Sequence, residues 1–528
     1  MNFAPLDIFV FVSYIAIIIS VALYVSRKKD GVEQTTSDYF LAGNSLPWWA
    51  IGTSLIAANI SAEQLIGMTG NGFTMGLAIA TYELMAAVTL IIVGKYFLPI
   101  FLEKKIYSMP NFLEMRYDGK VRSSLAILWL VLYILVNVTS ILYLGGVCLE
   151  DVFQIKLEYA IIGIAIFSAF YTVAGGLKAI AYTDFIQVTF LVVGGLLTTG
   201  IALDKLTGGL GFFEGLNFLY TNNPQKFKMI FDESSKFYSS LPGVFGVFGL
   251  MWIVNLNYWG FNQYISQRAL AAKNLDEAQK GVILAGFLKL LMPLIVVIPG
   301  IVAFALLAPF DVSSQDKVYP WLLNQFLTDG VKGLIFAALV AAIVGSLSSK
   351  TNSIATIFAM DVYRPFFGKN DSDSKIVLVG RISIVGSLAI GVFLAPFIRN
   401  FSGGFQFIQE FTGFFSPGIF VIFLFGLFWK KATAKGALYV AIATLPISLI
   451  LYFFFGDGTL SIANLPFLYR MGISFAALCL IMYLFGNKTE NDPKAIHFSK
   501  DLFKTGMVFN IGAILITFIV ALIYYIFW

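Results

Sequence analysis

A soluble chain of 528 residues would divide into several domains, but here 58% of residues are apolar and only 12% are charged, and mean hydropathy is +0.83. Soluble proteins carry about 25% charged residues, so a soluble enzyme or regulatory protein is excluded. The net charge of +5 is the excess that cytoplasmic loops accumulate in membrane proteins, because no block of five or six basic residues marks a nucleic-acid or anionic-lipid site.

Apolar runs of roughly 20 residues, the length needed to cross a bilayer core, recur from one end of the chain to the other. Backbone in lipid must satisfy its own hydrogen bonds, and continuous runs of this length do so as helices. Fourteen spans are expected, beginning near Leu6, Trp48, Leu77, Ser123, Tyr159, Ala179, Pro242, Gln279, Val331, Ile376, Phe405, Thr433, Pro466 and Met507. The first run, 6–25, is followed by Arg27, Lys28 and Lys29 and is preceded by no basic segment, so it reads as a span and not a cleaved leader. With the N-terminus outside, loops assigned to the inside hold 23 Lys and Arg residues and those outside hold 8, so both termini are expected outside. Lys95, Lys289, Lys350 and Arg470 fall within spans. The long outside segment 204–241 is too polar to span and reads as a cover over the bundle. Cys148 and Cys479 sit in apolar stretches and read as packing residues, with no metal or redox spacing around them.

Polar groups in the hydrocarbon region cost several kcal/mol unless a cavity or partner receives them. The second span carries a polar, glycine-bearing interruption, Ala57-Ala58-Asn59-Ile60-Ser61-Ala62-Glu63-Gln64, followed by Gly67 and Gly70. The seventh carries another, Asn255-Leu256-Asn257-Tyr258-Trp259-Gly260-Phe261-Asn262-Gln263. These correspond if spans two to six and seven to eleven are two five-helix repeats, and paired broken helices point to a transporter's central site. Tyr82, Glu83, Asp184, Lys289, Gln406, Gln409 and Glu410 also lie within spans. For any one of these the bland reading, satisfaction by a neighbouring helix, is equally good; for Glu83 and Lys289 together it is weaker, because their charges can cancel across a cavity. Asn59, Gln64, Asn255 and Gln409 each donate and accept. Such a neutral mixed site suits an uncharged polyhydroxylated solute, with Tyr258 as a flat face for a sugar ring.

The segment Asp38-Tyr39-Phe40-Leu41-Ala42-Gly43-Asn44-Ser45-Leu46-Pro47-Trp48-Trp49, running into Ile56 to Gln64, resembles the sodium/solute symporter family, as does Tyr171-Thr172-Val173-Ala174-Gly175-Gly176-Leu177-Lys178-Ala179. The runs Tyr258-Trp259-Gly260-Phe261-Asn262-Gln263-Tyr264 and Gly426-Leu427-Phe428-Trp429-Lys430-Lys431 resemble its bacterial sodium/galactose branch. The resemblance extends over essentially the whole chain. It implies an all-α membrane protein with the five-plus-five inverted-repeat fold first seen in a bacterial leucine transporter: an extra helix at 6–25, a ten-helix core at 46–429 and three further helices at 433–528. It implies sodium-coupled symport of a monosaccharide by alternating access, with no cofactor and no enzymatic activity. Carried over by position, it implies sugar contacts at Asn59, Gln64, Glu83, Asn255, Lys289 and Gln409, an inner gate at Tyr258, and an apolar outer gate at Met68, Tyr82 and Phe405. Sodium ligands map to Ala57, Ile60, Ala342 and Ser346, and Asp184 to an acid on the ion's inner route.

Two positions depart from that pattern. Ala86 stands where the family's galactose symporter has a serine near the sugar, which weakens any claim to galactose in particular. Gly345 stands where the first of two adjacent hydroxyl ligands is expected, and a hard cation wants oxygen. The rival readings are proton coupling through Glu63 or Asp184, a non-transporting sugar sensor of the same fold, and a membrane-embedded enzyme. Against the last, the single histidine, His497, sits in a loop and no nucleophile–base pair emerges.

Overall fold

The computed structural model describes residues 4–25, 44–106, 108–174, 177–308, 314–326, 330–401, 403–456, 462–487 and 489–528. The motif residues 38–43 and Gly175-Gly176 lie outside these. Among the described residues ten helices are long and apolar enough to cross a bilayer, or eleven if the helix pair Gly404–Thr412 and Ser416–Phe428, bent by 45°, is one span. Pro5–Val21 and Leu157–Phe170 are shorter apolar stretches of the helices Pro5–Val25 and Leu157–Ala174, so the expected count of fourteen spans is not confirmed. A physical reason is that the second expected span is split, leaving a helix of 12 residues, Trp48–Asn59, before the break.

The described residues have the polarity of a soluble protein turned inside out. Phe9, Phe170, Ile382, Ile514 and Tyr525 are more than half exposed, whereas Glu63, Glu83, Asp184, Arg268, Lys289 and Lys350 are buried. A bilayer solvates the first group, and only pairing makes the second tolerable.

The helices used below are α1 (Pro5–Val25), α2 (Trp48–Asn59), α3 (Thr81–Ile92), α4 (Leu177–Leu206), α5 (Met251–Leu256), α6 (Gln263–Leu270), α7 (Leu275–Met292), α8 (Val331–Ile357) and α9 (Gly404–Thr412). α2 lies against α7 and α4, and α8 lies against α4 and α1. The α2–α7 approach depends on two glycines. A Cβ on Gly52 would fall 2.8 Å from Gly281 O, and one on Gly281 would fall 2.7 Å from Ile51, a small-residue seam of the kind that lets membrane helices touch. At its first turn α2 is fastened to α7 by Trp48 N–H donating to Glu277 Oε2 at 2.7 Å.

Both predicted interruptions are real breaks with matching geometry. α2 ends at Ile60, whose backbone is extended (φ −74°, ψ 121°), and a π-helical turn, Glu63–Met68, follows. A π-helical turn, Asn257–Phe261, follows α5 and ends at Asn262, extended in the same way (φ −76°, ψ 126°), before α6. Each break diverts backbone donors to side chains. Ser61 N–H, which would continue the helix onto Ala57 O, donates to Gln64 Oε1 at 3.0 Å. Gln263 N–H donates to the Tyr133 hydroxyl at 3.2 Å. Helix continuation therefore fails at both sites because an alternative acceptor is in place.

Candidate functional site

A cavity of about 70 Å³ lies between the two breaks. It is lined by all seven residues expected to contact the solute: Asn59, Gln64, Glu83, Asn255, Tyr258, Lys289 and Gln409. Five elements deliver them: the first break, α3, the second break with Asn255 and Tyr258, α7 and α9.

Charge is balanced at the centre. Lys289 Nζ donates to Glu83 Oε2 at 2.5 Å and also to Asn59 Oδ1. Asn59 Nδ2 in turn donates to the Tyr258 hydroxyl at 3.0 Å. A buried ammonium is tolerable only with such partners. Beyond this chain the wall carries hydrogen-bonding capacity that is not spent within the protein. The Tyr82 hydroxyl and Thr412 Oγ1 are buried with no hydrogen-bond partner, and both residues line the cavity. Buried polar atoms are rarely left unpaired, so these are the groups a polyhydroxylated ligand would satisfy.

Of the expected gate residues, Tyr82 and Phe405 line the cavity and meet edge-to-face, ring centroids 5.5 Å apart. Met68 is fully buried in the π-helical turn after the first break and does not belong to the cavity wall. Ala86 does line the cavity, leaving a methyl where a hydroxyl would reach inward. Sequence reasoning missed Asn137, Trp259, Asn262, Tyr264 and Thr412 as lining residues. Asn137 lies in a π-helical turn, Leu132–Val138, and a lone amide in an apolar run was the signal available for it.

Of the residues expected to hold the ion, Ala57 and Ile60 belong to the first break, and Ala342 and Ser346 to α8. Ser61 N–H is turned away from Ala57 O as above, and Gln64 N–H bonds Ser61 O at 3.2 Å where helix continuation would place it on Ile60 O. Freed carbonyls at a helix end attract cations. From α8, Ser346 Oγ lies 3.5 Å from Ala58 O. The position of the missing hydroxyl is filled: a Cβ on Gly345 would fall 2.5 Å from Gln187 Oε1. The oxygen set therefore suits a hard cation only in part, and an unexpected group reaches one of its members: Lys350, one turn beyond Ser346, donates to Ser346 Oγ at 3.0 Å.

Asp184 stands apart from the cavity. Its Oδ2 accepts from Ser54 Oγ at 2.6 Å and lies 3.9 Å from Arg268. Arg268 also donates to Ser54 O at 3.0 Å and Ser349 Oγ at 2.5 Å, so one buried arginine ties α2, α4, α6 and α8 together. Glu410, by contrast, pairs with Arg470 at 2.7 Å away from the cavity, a structural contact. Among the described residues no group of three or more His, Cys, Asp or Glu is placed to hold a metal ion.

Comparison with known proteins agrees with this architecture. Residues 39–444 match the sodium:solute symporter family. A sodium/glucose cotransporter of Vibrio parahaemolyticus is 48% identical, with 99% of this chain and 98% of that protein covered. The rat sodium/glucose cotransporter 2 is 32% identical over 86% of this chain and 73% of its own length, and human sodium/myo-inositol cotransporter 2 is 32% identical over 84% and 69%. A substrate-bound, outward-open Na+-coupled sialic acid symporter superposes with a TM-score of 0.76 at 22% identity, covering 92% of this chain and 98% of that one. A nucleobase-cation-symport-1 family transporter superposes at 0.52 with 12% identity, covering 85% and 95%. At those identities the structural likeness establishes the fold, and the inverted-repeat core expected from the broken spans is the fold of these transporters.

Proposed function

The chain belongs to the sodium:solute symporter family, and we propose that it is a multi-pass sodium-coupled symporter of a monosaccharide, working by alternating access in the cell membrane and catalysing no covalent chemistry. The observation that carries the substrate class is the cavity wall: a charge-neutral Glu83–Lys289 pair surrounded by Asn59, Gln64, Asn255 and Gln409, with the Tyr258 ring beside them. A singly charged substrate would pair with one member and leave the other unmatched. An uncharged ring bearing hydroxyl groups matches every donor and acceptor and leaves the charges balanced.

In this reading, Glu83, Lys289, Asn59, Gln64, Asn255 and Gln409 hold the sugar hydroxyls. Tyr258 packs on the ring from the inner side, and Tyr82, Phe405 and Met68 close the outer side. Sodium, a co-transported substrate, is held by Ala57, Ile60, Ala342 and Ser346 and leaves past Asp184. Coupling requires both ligands to favour the same conformation, since equal affinity for two states shifts neither. The carbonyls of the first break and the Asn59 and Gln64 side chains belong to one segment, so a cation that fixes that segment also fixes two sugar contacts. The core is 46–429, preceded by the helix at 6–25 and followed by three helices at 433–528, with both termini outside.

The test is uptake of a radiolabelled sugar panel into proteoliposomes, with and without an inward sodium gradient. Accumulation of a monosaccharide that depends on the gradient is expected. Accumulation driven by a pH gradient in sodium-free buffer would replace sodium with protons, and sugar binding without accumulation would favour a sensor.

A further inference from the structure

Lys350 is a fully buried lysine in the middle of a family whose coupling ion is in its name. Its side chain reaches Ser346 Oγ at 3.0 Å, the one hydroxyl left in the expected ion-ligand set. It pairs with Glu63 Oε1 at 3.4 Å and lies 5.3 Å from the centroid of the Tyr264 ring. Ser346 Oγ itself is 3.5 Å from Ala58 O. The ammonium therefore stands between Glu63 and Ser346, the hydroxyl that links the broken end of α2 to α8 and that a free cation is expected to use. Two facts of this chain favour it. Gly345 supplies no competing hydroxyl, and Ser346 and Lys350 share one face of α8 at a spacing of four residues.

Two cations cannot share one small set of oxygens in a medium of low dielectric. The contacts of Lys350 also lead to the sugar. Glu63 is adjacent to Gln64, and Glu63, Gln64 and Tyr264 all line the solute cavity. An ammonium that bridges Ser346 on α8 and Glu63 on the far side of the break holds the same segment that sodium would hold.

Resting on the ion-site reading above, we propose that Lys350 is a tethered cation that competes with sodium for the coupling site and, when sodium is absent, supports sugar binding in its place. Sodium then displaces the ammonium when it binds. Only the free ion can leave on the far side of the membrane, so only sodium transmits the energy of a gradient. The cost is weak sodium binding.

The test uses the purified full chain, its Lys350→Met variant, which keeps a similar volume without the charge, and Lys350→Gln as a second neutral replacement. Binding of radioactive sodium is measured directly, and binding of labelled glucose and galactose is measured in sodium chloride and in choline chloride at equal ionic strength. Sodium should bind at least tenfold more tightly to either variant than to the parent. The parent should hold its preferred sugar in choline within tenfold of its affinity in sodium, and the variants should lose that sodium-free binding at least tenfold. Unchanged sodium affinity in a folded variant, with only a lowered melting temperature, would make Lys350 a structural partner of Glu63 and overturn the assignment. The parent alone decides if neither variant folds: loss of more than tenfold in its sugar affinity in choline overturns it. Should neither sugar bind the parent in either salt, the substrate reading fails, and the sodium-binding comparison still judges Lys350.

Discussion

Glu83 and Lys289 oppose full charges 2.5 Å apart at positions that are 3% and 1% exposed, so neither is tolerable alone. Glu83→Gln or Lys289→Ala leaves a buried charge without its partner, and breaking such a pair typically costs about 3–5 kcal/mol. Each should reduce equilibrium sugar affinity by at least a hundredfold while the protein still purifies as a folded species; a variant with parental affinity would place the solute elsewhere. Another titratable residue lies outside the spanning segments. Asp316 accepts from Gly404 N–H at 2.9 Å, at the start of α9, while its other oxygen is buried without a hydrogen bond. Burial pushes its carboxyl up to about 6, with the Gly404 hydrogen bond opposing, against about 3.9 in an unfolded chain. The folded state thus holds this proton more tightly, and the stability it contributes is present below about pH 4 and lost as pH rises through about 6. Thermal unfolding of the parent and Asp316→Asn between pH 4 and 7 should show the variant gaining on the parent as pH rises; a constant difference would contradict it. Glu83 and Lys289 were legible in the sequence because a charge in an apolar run always needs an explanation. Lys350 was equally visible as a basic residue within a span, but its meaning was not. It depends on the side chain folding back one turn onto Ser346, and the residue names alone do not fix that direction.

At the scale of elements, the positions of both breaks were legible because asparagine, glutamine and glycine interrupt otherwise apolar spans. Their geometry was not, since it depends on which acceptor captures the freed N–H: Gln64 Oε1 in one break and the Tyr133 hydroxyl in the other. The same applies to Gly345. From sequence it is a missing ion ligand; in the folded protein it is also a seat for Gln187, whose Oε1 has no hydrogen-bond partner. A serine at this position must first move that amide, because its Cβ would stand 2.5 Å from the oxygen. Gly345→Ser should therefore lower the melting temperature, and pairing it with Gln187→Ala should restore it. Tighter sodium activation is expected in the double variant, where the new hydroxyl is free to turn to the ion. An undiminished stability loss in the double variant would show that the collision is not with Gln187.

At the scale of the whole molecule, contacts between distant loops sort into two sets that match the two sides expected from counting basic residues. On one side Asp7 Oδ1 accepts from the backbone of Gly330 and Gly333 at 2.6 and 2.9 Å, and Met229 N–H bonds Phe527 O at 2.8 Å. Arg399 pairs with Glu150 and Lys317 with Asp151 there as well. On the other, Leu46 N–H bonds Ala271 O at 3.1 Å, Asp492 N–H bonds Lys430 O at 2.8 Å, and buried Arg116 reaches Trp429 O and Ala432 O. None of these contacts joins a loop expected inside to one expected outside, as an odd error in the number of crossings between them would require. The segment 204–241 is held in the first set: Lys226 donates to Phe73 O and Thr74 O at 2.7 Å, closing the end of the outer half-helix Thr69–Met75. Which set faces the cytoplasm is a matter of charge, and the set with Arg116 and Lys430 carries most of the Lys and Arg residues. Single cysteines are best placed at Asn222 in the first set and Lys430 in the second, in a background where Cys148 and Cys479 are replaced by alanine. A membrane-impermeant thiol reagent applied to intact cells should label the Asn222→Cys variant and spare Lys430→Cys until the membrane is opened. The reverse pattern would put both termini inside and turn the transport direction around. Labelling of both from one side would break the partition itself, and the inverted repeat with it, because the two halves of such a repeat must enter the membrane from opposite faces.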